Sequence, residues 1–425
     1  MLVETQKIAA TRSSWWNRVR LQLGGGLLIA VIIPWFLRLQ FEEGDLTSLQ
    51  NSAVGTAVAL ILGYYGFRRL ARYPGVRSSY HILPSFGIAY GLIMAGFFFA
   101  RLEYSRLHFF LSFVLCCLWF YEVYSQMRRQ QSLRIGVLPF GSAPSLFEIE
   151  GVEWVRLTEA NRSHEPCDAI VADLRAEIPD DWERYLADQA IEGVLVMHVK
   201  QMQESLTGRV SIEHLSENNL GSLIPGVVYG KIKRAGDLAA TLLALPLLLP
   251  FFAFIALVIK LDSKGPVLFR QQRIGGGGRV FTMYKFRTMA HRCAPDGNPR
   301  DDAVTRDNDL RVTRPGRFLR RYRLDELPQI VNILRGEMSW IGPRPEAVPL
   351  SQWYEAEIPF YRYRHIVRPG ITGWAQVNQG HVADVDQVHG KLHYDFYYVK
   401  NFSFWLDILI VARTIRTVTS GFGAR

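Results

Sequence analysis

Acidic residues are the first shortage in this chain. Asp and Glu number 39 against 49 Lys and Arg, a formal net charge of +10 over 425 residues. A basic excess directs a protein toward acidic partners: nucleic acid, anionic lipid or phosphorylated substrates. Cysteine is scarcer still, at four. Cys116 and Cys117 lie in an apolar run, and Cys167 and Cys293 stand far apart. That spacing fits neither a disulfide framework nor a metal site and suits a reducing compartment. His381, His389 and His393 are loosely grouped, but not at zinc-site spacing. Charge is missing altogether from several long apolar stretches. With 49% hydrophobic residues, the composition fits membrane spans joined to a soluble part.

Residues 1–20 are polar and basic, with Lys7, Arg12, Arg18 and Arg20. The run Leu21–Leu37 is too long for a signal peptide, and no small-residue cleavage pattern follows it. It reads as a first transmembrane helix. Ser52–Phe67, Ile82–Ala100 and Leu107–Tyr124 read as three more, each near the ~20 residues a bilayer core requires. Arg68, Arg69, Arg72 and Arg77 follow the second helix, and Arg128, Arg129 and Arg134 follow the fourth. The loop after the first carries Glu42, Glu43 and Asp45. Positive loops stay inside, so both ends of this unit (21–126) face the cytoplasm. No charge lies deep in a span, which favours an anchor over a transport path.

Residues 132–225 alternate short apolar runs (134–138, 152–157, 168–174, 193–199) with polar or helical stretches. That alternation predicts a parallel sheet of βαβ units, a small Rossmann-like domain. The turn PFGSAP after the first run lacks the glycine pattern of a dinucleotide site. A spacer or regulatory role follows.

From Leu238 to Ile259 there is again no charge, over a length that can span. Pro246 and Pro250 interrupt it, each removing a backbone donor. Basic residues flank both ends: Arg234 before, Lys260, Lys264 and Arg270 after. A straight or kinked full span would place one basic flank outside, whereas a helix that enters the membrane, breaks at proline and returns keeps both flanks on the cytoplasmic side, so a re-entrant hairpin is expected ahead of a kinked full span. Beyond it, 266–271 and 279–284 read as two strands around the glycines 275–278, a hairpin turn. Lys285 and Arg287 flank Phe286, and on a strand would share a face. The tail 394–418, rich in Tyr, Phe and Trp, reads equally as an interfacial helix or as an aromatic core.

Asp325 and Glu326 open a stretch with Leu324, Leu327, Ile330, Val331 and Leu334 at helical spacing. The first turn of a helix favours negative charge. Alone, such a pair is also an ordinary solvated helix start. Here Arg311, Arg314, Arg317, Arg320, Arg321 and Arg323 precede it, and Pro343, Arg344 and Pro345 follow. Acids among fixed cations suit phosphates and a divalent metal. Beside membrane segments, phosphate substrate and anionic headgroups explain the arginines better than nucleic acid does.

The motifs KRAGD (233–237), IKLDSKGPVLFRQQRIG (259–275), YKFRTM (284–289), GRFLRRYRLDELPQIVNILRGEMSWIGPRPE (316–346), RPGITGWAQVN (368–378) and YDFYYVKNFSFWLDI (394–408) occur in one order. In that order they resemble the bacterial sugar transferase family, the monotopic polyprenyl phosphosugar phosphotransferases. The likeness covers the chain from Lys233 onward, and the upstream helices resemble the family's large form. It implies a membrane α/β fold: a four-helix transmembrane bundle, the Rossmann-like domain, and a catalytic domain (231–425) with a re-entrant helix (238–259) and interfacial amphipathic helices. It implies transfer of a hexose-1-phosphate from a UDP-hexose to undecaprenyl phosphate, with UMP released, at the bacterial inner membrane. That is the first membrane step of exopolysaccharide, capsule or O-antigen synthesis. Asp325 would be the nucleophile, forming an aspartyl-phosphosugar. Glu326 would assist, and Mg²⁺ would lie at the pair. Lys285, Arg287, Arg320, Arg323, Arg368 and Asp395 would bind substrate or phosphate, with Pro343, Arg344 and Pro345 on the nucleotide side. The sugar, glucose or galactose, is undecided by any residue. Large forms can pair as homodimers through the helices and middle domain. Where the family usually has Ser-Pro at the membrane break, this chain has Leu249-Pro250, and Pro246 shares the bend. The alternative is a catalytically idle protein that binds lipid-linked sugars or regulates their assembly.

Overall fold

A computed structural model describes residues 15–41, 46–70, 79–130, 134–150, 152–160, 167–211, 225–289, 311–379 and 385–420. Glu42, Glu43, Asp45, Arg72, Arg77, Cys293 and His381 lie outside the described residues. The chain divides into two units, Met1–Gly208 and Arg209–Arg425.

The first unit begins with long apolar helices. Val19–Leu27 runs through a π turn, Leu28–Ile32, into Ile33–Phe41 (α1). Leu46–Leu70 (α2), Ser79–Phe99 (α3) and Arg106–Gln130 (α4) follow. Apolar side chains pack between these helices around Leu60, Phe86 and Phe120, and Phe86 stacks on Phe120 at 4.6 Å. Small residues set the spacing: a Cβ on Gly63 would lie 2.4 Å from the Phe86 ring. Several polar groups inside are paired with one another, as a membrane interior favours. Tyr64 donates to Gln22 Oε1 at 2.8 Å, and the Tyr90 and Ser112 hydroxyls share a bond of 2.9 Å.

The four apolar runs of the middle stretch fall on strands Arg134–Val137 (β1), Glu153–Arg156 (β2), Ala169–Ala172 (β3) and Leu195–His198 (β4). All pair in parallel, in the order β2-β1-β3-β4. Helices Asp180–Ile191 (α5) and Val199–Thr207 (α6) accompany them. The order reverses between β1 and β3, where open α/β sheets bind ligands beyond the carboxyl ends of the strands. Here the protein fills that place itself. The Asp173 carboxylate accepts from the Ser142 backbone N–H at 2.9 Å and from its hydroxyl at 2.6 Å. Burial pushes its pKa up, but these bonds win and hold it at about 2.

The second unit is organised on Val227–Asp262 (α7), a helix of 36 residues that continues through Pro246 and Pro250. The backbone is therefore not interrupted by a non-helical turn at the prolines. What proline removes is the pair of i→i−4 bonds to Leu242 O and Pro246 O, one turn apart on the same face. Strands Leu268–Ile274 (β5) and Val280–Phe286 (β6) form the expected antiparallel hairpin. Its turn needs glycine, with φ of 67° and 74° at Gly277 and Gly278. Then come Arg314–Arg321 (α8), a 3₁₀ turn Leu324–Gln329, Ile330–Arg335 (α9), Ser339–Ile341 (β7) and Val348–Glu357 (α10). Gly370–Thr372 (β8) pairs in parallel with β7, and Trp374–Asn378 (α11), Val385–Lys400 (α12) and Phe404–Ser420 (α13) close the unit.

The tail divides between its two readings. Tyr394, Phe396, Tyr397 and Tyr398 of α12 are core, at most 8% exposed. On α13, Leu406, Leu409 and Ile410 are buried, while Phe404, Val411 and Ile415 stand exposed. Among the described residues, five helices (α1–α4 and α7) are long and apolar enough to cross a membrane.

Candidate active site

The acid pair sits in the 3₁₀ turn, not in the first turn of an α-helix. Pro328 is the cause: it has no N–H to reach Leu324 O, so an α-helical bond cannot form there. Arg323 before it is left-handed, with φ 54°, a conformation that costs a non-glycine residue about 1–2 kcal/mol. The turn leads directly into α9. Asn332 ties that helix to β6, donating to Thr282 O at 2.7 Å and accepting from Tyr284 N–H at 3.3 Å. Lys285, next on β6, is thereby set beside Glu326.

Glu326 is 4% exposed and is clamped on one oxygen. Its Oε1 accepts from Arg344 at 2.8 Å and from Lys285 at 3.1 Å. Burial opposes its charge, but Arg344, Lys285 and Arg323 outweigh it and hold the carboxyl far below the usual range. Arg344 is pushed up in turn by Glu326. Asp325 is only half-buried. Burial raises its pKa, Lys285 opposes this most, and Glu326 adds to the rise. The helix start was expected to keep Asp325 ionised; its surroundings resist that charge, and Lys285 is the main group favouring it. Arg320 also favours the Asp325 charge, and its Nε donates to Thr288 Oγ1 at 2.9 Å.

The pair thus has one clamped oxygen and three others. Glu326 Oε2 is buried and accepts no hydrogen bond from the described residues. No group of three or more His, Cys, Asp or Glu among the described residues could hold a metal alone. Mg²⁺ is commonly held by one or two carboxylates, with water and substrate phosphates completing its shell. Two adjacent acids with an orphaned oxygen fit that donor set.

Pro343, Arg344 and Pro345 follow β7. Neither proline has an N–H, and the segment is held from outside by its carbonyls. Pro343 O accepts from Gly370 N–H at 2.9 Å, and Arg344 O from Arg364 at 2.9 Å. Pro345 O accepts from Arg273 at 2.8 Å, and Glu346 O from Ile274 N–H at 3.1 Å.

Two expected residues, Arg287 and Asp395, have their partners outside the acid pair, and Arg368 runs beside Gly342 at the start of the Pro-Arg-Pro segment. Arg287 does not share a face with Lys285: β6 ends at Phe286, and Arg287 is buried at the end of α7, donating to Ser263 O at 2.7 Å and Ser263 Oγ at 2.9 Å. It caps that helix. Asp395 is 1% exposed and pairs with Arg364 at 2.8 Å, behind Arg344 and away from the acids. Arg368 is exposed, with its backbone and stem against Gly276 of the hairpin turn.

Other residues were missed as site residues. Glu346, Arg364, Lys391 and Arg273 form a buried ionic group behind Arg344. Lys391 and Asp395, opposite charges one helical turn apart in an aromatic stretch, were a visible signal. In KRAGD, Lys233 pairs with Asp407 at 2.6 Å, and Arg234 donates to Ile333 O at 2.5 Å and Leu334 O at 3.1 Å. Arg234 thus caps α9, the helix into which the turn of the acid pair leads.

The family model for bacterial sugar transferases matches residues 228–421. A protein of Aeromonas hydrophila named UDP-N-acetylgalactosamine-undecaprenyl-phosphate N-acetylgalactosaminephosphotransferase is 44% identical over 97% of this chain and 98% of its own. The chain belongs to the bacterial sugar transferase family. That match runs through the N-terminal helices and the parallel sheet, so this transferase is of the large form. A UDP-glucose:undecaprenyl-phosphate glucose-1-phosphate transferase of Xanthomonas campestris pv. campestris is 36% identical, over 61% of each chain. One of the same name in Escherichia coli (strain K12) is 44% identical over 43% of this chain and 39% of its own. The transferase spans less than two thirds of the length of these two relatives.

Proposed function

We propose that this transferase moves a sugar-1-phosphate from a UDP-sugar to undecaprenyl phosphate through an aspartyl-phosphosugar. The observation that carries this reading is the unequal pair: Glu326 buried and clamped on one oxygen, Asp325 only partly buried beside it among Lys285, Arg320, Arg323 and Arg344. An Asp325 oxygen attacks the phosphorus that bears the sugar. The bond from that phosphorus to the bridging oxygen breaks, and UMP leaves with the electron pair. A phosphate oxygen of undecaprenyl phosphate then attacks the same phosphorus and frees the carboxylate. The covalent step suits substrates that differ in kind, one soluble and one fixed in lipid. Lys285 and the arginines neutralise charge on the transferring phosphoryl group. Mg²⁺ held by Asp325 and Glu326 would add to that neutralisation when bound.

The re-entrant topology of α7 belongs to the same proposal. Near its start, Arg234 holds Ile333 O and Leu334 O, and Thr241 Oγ1 accepts from Trp340 at 3.0 Å. Near its end, Ile255 and Ile259 pack with Phe286 and Leu319. Between them Leu242, Leu243, Leu247 and Phe254 are 60–78% exposed. Two ends seated on one unit, with an apolar middle left outside, support a helix that bends at its prolines and returns. The catalytic unit then lies on the cytoplasmic face of the inner membrane. A tag after Lys264 labelled from the periplasm would refute that.

The sheet order supports a Rossmann-like reading of the middle stretch, with Asp173 filling its ligand edge, hence a spacer. For the sugar, N-acetylgalactosamine is placed ahead of glucose and galactose, because the relative that matches end to end carries it in its name. The test is UMP release from membranes given undecaprenyl phosphate and a panel of UDP-sugars. Mg²⁺-dependent UMP and a lipid diphosphosugar are expected. No UMP from any sugar would leave the idle, sugar-binding alternative.

A further inference from the structure

Five charged side chains beyond the acid pair are buried around one segment of backbone. Lys391 Nζ pairs with Glu346 Oε1 at 2.7 Å. Arg364 stands 3.9 Å from the same oxygen and 2.8 Å from Asp395 Oδ2. Arg273 stands 3.8 Å from Glu346 Oε2. Tyr361 accepts from Arg364 at 2.6 Å. Burying so many charges is costly unless geometry repays it, and none of these groups is bonded to Asp325 or Glu326.

Their common neighbour is the 343–346 segment. Its two prolines fix φ and leave the loop short of donors of its own. Arg364 supplies the bond to Arg344 O, Arg273 the bond to Pro345 O, and Glu346 is itself the last residue of the loop. At the far side of the same loop, the Arg344 side chain reaches Glu326 at 2.8 Å.

We propose that Glu346, Arg364, Lys391 and Asp395 form an ionic brace that aims Arg344 at Glu326, and that Asp395 and Lys391 act through this brace rather than by touching substrate. They are positioning residues, and the inference rests on the transfer reading above. Lys391 and Asp395 lie on one face of α12, so the helix holds both ends of the brace. Glu346 takes Lys391, and Arg364 takes Asp395. Removing either outer charge takes from a buried partner its shortest ion pair, leaves only ionic contacts of 3.8–3.9 Å, and lets the Arg344 carbonyl shift. A displacement of about 1 Å at a catalytic group can cost on the order of 100-fold in rate.

The test is steady-state kinetics on full-length protein in lipid nanodiscs, using the UDP-sugar of the panel turned over fastest. Lys391→Met is expected to lower kcat about 100-fold while KM for the UDP-sugar stays within about threefold. Lys391→Arg, which keeps the charge, is expected to recover most of the loss. Arg344→Met combined with Lys391→Met is expected to be no slower than Arg344→Met alone, since both act on one contact. Multiplying losses, or a raised KM with kcat intact, would overturn the brace. Should Lys391→Met fail to fold, Tyr361→Phe removes only a hydroxyl beside Arg364, and the same fall in kcat at constant KM is expected on a smaller scale. A wild-type protein that releases no UMP overturns the transfer reading and not the brace. The brace is then decided by nanodisc structures of the wild type and Lys391→Arg and Tyr361→Phe variants: retention of the Arg344–Glu326 contact in Tyr361→Phe overturns it, and loss there with retention in Lys391→Arg supports it.

Discussion

Replacing Arg344 by Met would test the clamp on Glu326 directly. Arg344 lies 2.8 Å from Glu326 Oε1 and Lys285 lies 3.1 Å from it. At an effective dielectric near 20, each contact is worth about 5–6 kcal/mol of Coulomb attraction before desolvation. Desolvation cancels much of that, because Glu326 is almost fully buried. Breaking a buried pair by deleting one partner costs about 3–5 kcal/mol net. Lys285 remains and keeps part of the charge compensated, which places the loss at the lower end, about 3 kcal/mol. If the transition state feels the same loss, kcat/KM for UMP release falls roughly 150-fold. Arg344→Lys keeps the charge but loses the fork and some reach, and is expected to lose about 10-fold. The assay is initial UMP release at matched protein levels in membranes. An Arg344→Met rate within about threefold of wild type, or a Lys variant as slow as the Met variant, would refute the clamp.

Asp325→Asn should abolish turnover while the protein still inserts; retained activity would show that another group is the nucleophile. Lys285→Met should move the acid limb of the kcat–pH profile to higher pH. Lys285 is the strongest influence lowering the already raised Asp325 pKa, so its loss lets Asp325 hold its proton to higher pH; an unmoved limb would count against Asp325 as the ionised group. Glu326 is shifted in the opposite sense to Asp325, its pKa being held down by Arg344, Lys285 and Arg323. Its depressed pKa means that its contribution is present above the unfolded carboxyl range and is lost only as pH falls through the folded value. Gly370→Ala should destabilise the second unit by about 1–3 kcal/mol or more, because its Cβ would sit 2.1 Å from Gly342 N; an unchanged thermal transition in detergent would contradict the packing of β7 on β8.

Periodicity and charge carried much of this architecture. The apolar N-terminal runs, the four parallel strands and the glycine hairpin each follow from patterns a few residues long. The acid pair stood out for the same reason, as a local contrast of charge. What local pattern could not carry was direction. Lys285 and Arg287 are two residues apart, yet the strand ends between them, so one meets Glu326 and the other caps α7. Asp395 sits in a motif of the site but pairs with Arg364, some thirty residues earlier in the chain. Pro328 turned an expected α-helical start into a 3₁₀ turn through one missing N–H. In each case the deciding contact is distant in sequence or is a bond that fails to form.

The 343–346 segment carries a consequence for exchanging parts between relatives. A loop that contributes acceptors but borrows its donors has no shape of its own to transplant. Its conformation is written at Arg273, Ile274, Arg364 and Gly370, on three stretches of chain outside it. Chimeras that swap only the Pro-Arg-Pro stretch would carry the letters without the grammar. Those that swap it with its donors would be portable.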